Sequence, residues 1–282
     1  MSKSAILKSS IAKKYWMALT GLFLCLFLVG HLLGNLQLLA TAGEDAKRAF
    51  NEYAYFMGHN IFIKVMSYLT YISIIFHAVD GLMLAVQNKK ARPQNYAYNN
   101  PGANSSAASR YMAILGTLIL VFIVTHMANF WYRMKVAEDL PLHTKEITVP
   151  GNPMMGMAEQ KINLYLTTSG DYMPADQVEV KDKTQLYAKG VDVKMGEGYK
   201  DLYTLTVNFF SKESETGLIA TILYVLAMVV LSFHLWHGFA SAFQSLGLRN
   251  KRYAPLIGRL GQAFSVLIPA AFAVIPIFLY LQ

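Results

Sequence analysis

The sequence predicts an all-α membrane protein: a bundle of five transmembrane helices that carries a small insertion with some β structure. The 282-residue chain is 54% hydrophobic. Its apolar residues are gathered in five runs, each long enough to cross a bilayer, for which about 20 residues suffice. The mean hydropathy is only +0.32 because a polar block at 134–215 separates the third run from the fourth. The runs cover approximately residues 15–40, 61–87, 111–132, 217–243 and 256–281.

The ends and interior of these runs have features that are typical of membrane helices. Tyr15 and Trp16 open the first run, and aromatic residues of this kind collect at the membrane–water interface. Pro269 and Pro276 lie within the fifth run and are expected to kink its helix. Residues 41–60, between the first two runs, are expected to form a polar loop.

A cleaved signal peptide is the alternative interpretation of the first run, because Ala40-Thr41-Ala42 resembles a cleavage site. The run is about 24 residues long, which exceeds the apolar core of an ordinary signal peptide. Cleavage would also discard His31. We therefore interpret the first run as a retained transmembrane helix.

The distribution of charge predicts the topology of the chain. Residues 1–14, 88–110 and 247–259 each hold four basic residues and no acidic residue. The block at 134–215 holds 9 lysines and 13 acidic residues, a net charge of −4 within a chain of +8. Basic residues concentrate on the cytoplasmic side of a membrane protein. The N-terminus is therefore expected in the cytoplasm, the C-terminus outside, and the protein in the cytoplasmic membrane.

The same numbers exclude several classes of protein. The basic residues lie at the ends of apolar runs, which is a pattern of membrane topology and not of nucleic-acid binding. Cys25 is the only cysteine, so the chain has no intrachain disulfide, no c-type haem motif and no iron–sulfur cluster of its own. No internal repeat is expected.

The chain divides into three regions: helices I–III in 1–133, an extracytoplasmic insertion in 134–215, and helices IV–V in 216–282. Segment 177–181 alternates in the manner of a β-strand, so short strands are expected in the insertion. The insertion is interpreted as a lid over the membrane bundle. Its turn candidates are Gly170, Gly190, Gly196 and Gly198.

Four histidines lie well inside the apolar runs: His31, His77, His126 and His234. A bare imidazole is costly in a bilayer, so each histidine is a candidate functional residue. If successive helices alternate in direction, His31 shares one depth with His126, and His77 shares another with His234. At 1.5 Å per residue the two depths differ by roughly 10 Å. Two pairs at two depths are what two stacked, bis-histidine metal cofactors require.

Single histidines in membrane helices more often pack by hydrogen bonding or belong to proton paths, and matched depths on four helices argue for ligation instead. The spacing of glycines supports a cofactor near the inner pair. Gly81 follows His77 by four residues, and Gly238 follows His234 by four. Residues at i and i+4 share one helix face, so each glycine leaves room for a flat macrocycle.

His237 is the alternative ligand of the inner cofactor, but the repeated His-x-x-x-Gly spacing favours His234.

His31 is flanked by Gly30 and Gly34, which form a Gly-x-x-x-Gly motif. This motif alone is typical of close helix packing. With a histidine inside it, a cofactor slot is the favoured interpretation.

Three further residues, Asp80, Glu52 and Arg133, are candidates for supporting roles. Asp80 could hydrogen-bond a ligand or extend to the cytoplasmic edge. Glu52 precedes the second helix and could exchange protons near the outer pair. Arg133 lies two turns after His126 and could pair with a haem propionate. Glu52 and Arg133 are equally well explained as a solvated acid and a helix-end anchor. His59 and His143 fall in outside loops, where solvated surface histidines are expected.

Several segments together resemble a known family. These are Gly-His-x-x-Gly-Asn at 30–35, His-Ala-Val-Asp-Gly at 77–81, His126, and above all Phe-His-Leu-Trp-His-Gly-Phe-Ala-Ser-Ala-Phe-Gln-Ser-Leu-Gly at 233–247. They are similar to the single-polypeptide, five-helix, di-haem cytochrome b subunit of succinate dehydrogenase/fumarate reductase, in its Bacteroidetes-type form. The resemblance covers nearly all of the chain except 134–215.

The resemblance implies two haems b, an inner one bound by His77 and His234 and an outer one bound by His31 and His126. It implies a flavoprotein subunit and an iron–sulfur subunit on the cytoplasmic face, and a dimer of such heterotrimers is possible. Menaquinone or another quinone would react near the outer haem, and Glu52 matches the position of a glutamate implicated in quinol chemistry. The long interval between His126 and His234 departs from the family pattern.

Two other functions stay open from the sequence. The chain could be a di-haem cytochrome b of another membrane dehydrogenase, against which the 233–247 segment argues. It could also be a transporter that uses its histidines as a proton relay.

Overall fold

The computed structural model describes residues 9–91, 94, 100–151 and 158–282. Within these ranges, five helices are long and apolar enough to cross a membrane, which confirms the prediction of a five-helix membrane protein. Lys3, Lys8 and Arg92, which contributed to the topology prediction, lie outside the described residues. The helices are α1 (Ser10–Asn35), α2 (Glu44–His59), α3 (Ile61–Lys90), α4 (Pro101–Asn104), α5 (Ala107–Arg110), α6 (Met112–His126), α7 (Arg133–Lys135), α8 (Leu202–Phe210), α9 (Gly217–Ser245) and α10 (Ala254–Leu281).

The four histidine-bearing helices α1, α3, α6 and α9 pack around a common interior, and α10 packs on α9 and α1. A π-helical segment, Met127–Tyr132, joins α6 to α7, and a 3₁₀ turn, Leu36–Leu39, follows α1. Pro269 and Pro276 both lie inside α10, which continues through them. Many large apolar side chains of these helices are exposed, as lipid contact requires. Each helix also satisfies its own backbone hydrogen bonds, which a bilayer cannot do.

The prediction of a polar loop at 41–60 is wrong, because this segment contains the helix α2. The acidic residues Glu44 and Asp45 stand in its first turn, where they complement the helix dipole. The helix ends at His59, and the side chain of the next residue, Asn60, accepts hydrogen bonds from the first amides of α3. The helix is amphipathic. Because its polar and apolar residues are interspersed along the sequence, the segment as a whole resembles a polar loop. Its inner face carries the buried residues Phe50 and Asn51.

The insertion forms two three-stranded antiparallel sheets. The expected strand at 177–181 coincides with one of their strands. Residues 152–157 of the insertion lie outside the described residues. The first sheet contains β1 (Thr144–Val149), β2 (Gln160–Leu166) and β3 (Tyr172–Pro174), and the second contains β4 (Val178–Lys181), β5 (Gln185–Ala188) and β6 (Lys194–Glu197).

Two of the four glycines expected at turns occupy turns. Gly170 and Gly190 have φ angles of +92° and +83°, a conformation that favours glycine. Gly196 lies within β6, and Gly198 lies in an isolated bridge, so the turn prediction is wrong for these two. Gly198 is instead a site of close packing, because a Cβ atom there would lie 2.8 Å from Leu142 Cδ1.

The last part of the insertion is a component of the bundle core and not only a lid. Helix α8 places Tyr203 and Phe210 in one buried hydrophobic cluster with Leu32 of α1 and Leu279 of α10. Phe210 is only 3% exposed, and burying a phenylalanine side chain contributes about 1.5–3 kcal/mol. The insertion and the membrane helices therefore stabilise each other through α8.

Candidate functional site

The four intramembrane histidines meet as two pairs, and these are the pairs expected from their depths. The ring centroids of His31 and His126 lie 5.8 Å apart, with their planes at 85°. Those of His77 and His234 lie 6.1 Å apart, with their planes at 66°. Each pair joins two different helices across the interior of the bundle.

These separations fit a metal held between two opposed imidazoles. A metal–nitrogen bond to imidazole is about 2 Å long, so imidazoles on opposite sides of one metal have ring centres about 6 Å apart. Imidazole is a common ligand of haem iron. The donor sets are therefore chemically suited to haem, while haem ligation itself stays a prediction.

Three of the four histidines have a polar neighbour at Nδ1. The Thr20 hydroxyl lies 3.3 Å from Nδ1 of His77, and the Tyr224 hydroxyl lies 3.4 Å from Nδ1 of His126. The Asn35 side-chain amide lies 3.4 Å from Nδ1 of His31. A partner that accepts from Nδ1–H sets the orientation of a ligating imidazole and leaves Nε2 for the metal. The Thr20 and Tyr224 hydroxyls can accept in this way, whereas the Asn35 amide nitrogen is a donor.

His234 differs from the other three. Its Nδ1 is buried and has no hydrogen-bond partner among the described residues. Buried polar atoms are nearly always hydrogen-bonded, so an orphaned one calls for a specific explanation.

The glycines predicted to make room for a macrocycle have varied surroundings. A Cβ atom at Gly34 would lie 2.9 Å from Tyr53 Cε1 of α2, so this glycine is a helix-packing position. Gly30 has no heavy atom of the described residues within 4 Å of such a Cβ position. Gly81 and Gly238 each face a methionine methyl group, at 3.5 and 3.3 Å. The role of these four residues as a slot is still a prediction.

Two other glycines touch the inner histidines and were missed by sequence reasoning. A Cβ atom at Gly21 would lie 3.1 Å from Cε1 of His77, which is tighter than most real contacts. The corresponding distance from Gly116 to Cε1 of His234 is 3.6 Å. Both glycines stand ten residues before a histidine of the outer pair. That shared spacing is the signal that could have identified them.

Aromatic side chains enclose the outer pair. Phe27 stacks on the ring of His31 at 5.3 Å, and Phe122 stacks on the ring of His126 at 5.7 Å. Phe272 of α10 contacts His31 from another side, at 5.6 Å. The π-helical segment follows His126 directly, and segments of this kind are frequent at functional sites. The outer pair therefore lies in an apolar environment with few polar groups.

The ring that meets His77 is that of His234, whereas His237 lines a cavity of about 230 Å³ between α9 and α10 together with Trp236 and Gln262. The choice of His234 over His237 as the inner partner of His77 agrees with this geometry.

Asp80 is buried, with 8% of its surface exposed, one turn after His77 on α3.

Glu52 and Arg133, predicted to serve the outer pair, are found in ion pairs. Arg48 Nε donates to Glu52 Oε1 at 2.7 Å on the surface of α2. Arg133 Nη2 lies 3.0 Å from Asp139 Oδ2. The buried Nε of Arg133 has no acceptor within the described ranges, so it retains one unused donor. Their roles in proton exchange and propionate binding stay predictions.

The prediction that His143 is a solvated surface residue is wrong, because its side chain is fully buried. Its Nε2 lies 2.7 Å from Glu44 Oε1, and its Nδ1 lies 3.1 Å from Nδ2 of Asn51. Both contacts join the insertion to α2. Sequence reasoning missed them because the partners lie more than 90 residues away. His59, in contrast, is exposed as expected and stacks on Tyr55.

Asn51 is the centre of this buried network. Its Nδ2 also donates to Asp201 Oδ1 at 2.9 Å, and its Oδ1 accepts from the amide of Tyr203 at 2.9 Å. Burial raises the pKa of Asp201, but hydrogen bonds from Lys47, Asn51 and Thr204 outweigh it and hold that pKa below its usual value. We refer to Glu44, Lys47, Asn51, His143 and Asp201 as the buried clamp, because they fasten α2 to the insertion.

Comparison of the chain with protein-family models, with curated proteins and with solved structures finds no match.

Proposed function

We propose that this chain is the membrane cytochrome b subunit of a succinate:quinone oxidoreductase, with one haem b between His31 and His126 and another between His77 and His234. The observation that carries the proposal is the meeting of four histidines of the membrane helices as two pairs, each with ring centres about 6 Å apart. The segment at 233–247, which resembles this family, supports the specific class of complex.

The basic residues at one end of the bundle support a cytoplasmic N-terminus and an outside insertion. A flavoprotein subunit and an iron–sulfur subunit would then dock on the cytoplasmic face, and the dicarboxylate site would belong to the flavoprotein. When bound, the haems would supply one-electron transfer between the iron–sulfur subunit and menaquinone or another quinone. The chain alone would not oxidise succinate.

The side chains of this protein would hold and enclose the cofactors. The Thr20 and Tyr224 hydroxyls can accept from Nδ1–H of His77 and His126 and so orient these imidazoles, and such acceptors raise the basicity of a ligand. Phe27 and Phe122 exclude water from the outer pair. A low-dielectric environment is one of the means by which a protein sets a redox potential.

A proton relay in a transporter is the second interpretation of four membrane histidines, and the surroundings of the outer pair argue against it. A relay needs water or polar groups between successive carriers. His31 has phenylalanine rings on two sides, Phe27 and Phe272, and Asn35 is the one polar side chain within hydrogen-bond distance of it among the described residues. The redox function is therefore favoured.

The spectrum of the complex purified in mild detergent tests the proposal. We expect a b-type haem band in the dithionite-reduced minus oxidised spectrum, and partial reduction of the same band by succinate when the flavoprotein and iron–sulfur subunits co-purify. A haem band with other co-purifying subunits would assign the chain to another dehydrogenase. The absence of any haem band after expression with sufficient haem would contradict the redox function.

A further inference from the structure

The histidine-bearing helices contain a repeat that was not expected from the sequence. At a constant offset of 95 positions, helix α6 has the same residue as α1 at six positions, and four of these make equivalent contacts in the two helices. The spacing is identical, including the phenylalanine that stacks on each outer histidine. The residues of α1 are Met17, Gly21, Phe27 and His31, and those of α6 are Met112, Gly116, Phe122 and His126.

The contacts that these residues make are repeated too. Gly21 of α1 faces His77 of α3, and Gly116 of α6 faces His234 of α9. The methyl group of Met17 lies over Gly81, and that of Met112 lies over Gly238. Helices α1 and α3 therefore form one two-helix unit, and α6 and α9 form a second unit with the same glycine–histidine and methionine–glycine contacts.

Each histidine pair takes one residue from each unit, and the two residues occupy equivalent positions. Pairing of equivalent positions is what an approximate two-fold relation between two units produces. The two imidazoles of the inner pair would then have identical surroundings, unless the units differ in sequence beside them.

The units differ at the residue that precedes each inner glycine. Thr20 precedes Gly21, and Leu115 precedes Gly116. The Thr20 hydroxyl donates to the carbonyl of Trp16 at 2.8 Å, so its lone pairs can accept from Nδ1–H of His77 at 3.3 Å. Leu115 offers no such acceptor. The missing hydroxyl is one difference between the surroundings of His77, which also hydrogen-bonds to the Met17 backbone, and those of the orphaned Nδ1 of His234.

We propose that Thr20 is a positioning residue for His77 and that the Thr20/Leu115 difference makes the two inner ligands unequal. This inference rests on the proposed function, since the cofactor it concerns is the inner haem. A hydrogen bond accepted from Nδ1–H raises the basicity of a ligating imidazole. A more basic ligand stabilises the oxidised metal, so Thr20 lowers the reduction potential of the inner haem.

The test is a redox titration of both haems in four variants of the purified complex. Thr20→Val should raise the inner potential, leave the outer potential unchanged and weaken retention of the inner haem by about 10- to 100-fold, the usual effect of losing such a partner. Thr20→Ser, which keeps the hydroxyl, should retain the wild-type potential. Leu115→Thr should lower the inner potential by giving His234 the missing acceptor. Thr117→Val is the matched control, because the Thr117 hydroxyl bonds only to the carbonyl of Ala113 in its own helix.

A shift confined to the inner haem, with opposite signs for Thr20→Val and Leu115→Thr, supports the inference. The inference is overturned if the inner potential is unchanged in both Thr20→Val and Leu115→Thr, or if it shifts no more than in Thr117→Val. The proposed function stands in either case. If Thr20→Val cannot be isolated with haem, the direction of the Leu115→Thr shift decides. A wild-type complex without haem overturns the proposed function and this inference together.

Discussion

Replacement of His31 or His126 by alanine is expected to remove one and the same component of the haem b spectrum. Replacement of His77 or His234 should remove the other. The reason is that the rings meet in these two pairs, at 5.8 and 6.1 Å. A haem that loses one of two axial imidazoles loses the low-spin bis-histidine signature. Low-temperature difference spectra of the four variants, each compared with wild type, provide the measurement.

Two histidines outside the pairs serve as controls for these variants. His59→Ala should keep both components, because His59 is exposed and stacks on Tyr55. His237→Ala should also keep both, since His237 lies on a surface cavity. Loss of one shared component in the His31 and His77 variants would contradict the pairing. Loss of the inner component in His237→Ala would contradict the choice of His234.

Asn51→Leu is expected to release the insertion from the membrane bundle. The substitution keeps the branched shape of the side chain but leaves two buried groups without a partner, Nδ1 of His143 and the amide of Tyr203. It also removes one of the two hydrogen bonds that Asp201 Oδ1 accepts. A buried polar group that loses its hydrogen bond costs about 1–3 kcal/mol, so the clamp should lose about 3 kcal/mol or more. A loss of that size raises the population of the open insertion about 100-fold.

Limited proteolysis of the insertion in detergent measures this population, since cleavage follows the fraction of open molecules when opening and closing are fast. Asn163→Leu is the control, because Asn163 is an exposed residue of β2 in the same insertion. Surface substitutions usually change stability by less than about 0.5 kcal/mol. Equal cleavage rates in the two variants would show that the buried clamp does not hold the insertion in place.

The membrane part of the fold could be predicted because its signals are local. Apolar runs of sufficient length, and histidines at defined depths within them, need no knowledge of distant residues. The pairing of His31 with His126 followed from the depth of each residue in its run and the alternating direction of the helices, and the structure brings those rings together. The choice of His234 over His237 followed from the spacing to Gly238, which is again a local relation.

The parts that could not be predicted depend on contacts between distant segments. His143 looks like a surface residue in sequence, and only its meeting with Glu44, 99 residues earlier, explains its burial. Helix α2 was missed because its polarity is divided between two faces, and its buried face contacts α8 of the insertion. The significance of Gly21 was hidden in the same way, because the ring that it accommodates belongs to α3.

The ratio of haem b to polypeptide in the purified complex tests the central claim most directly. Pyridine haemochromogen absorbance measures the haem, and quantitative amino-acid analysis measures the chain. Two bis-histidine sites predict two haems per chain in the wild type and a loss of one haem in each of the four single variants at His31, His77, His126 and His234. A wild-type ratio of zero, or a ratio of two that survives all four substitutions, would contradict the claim.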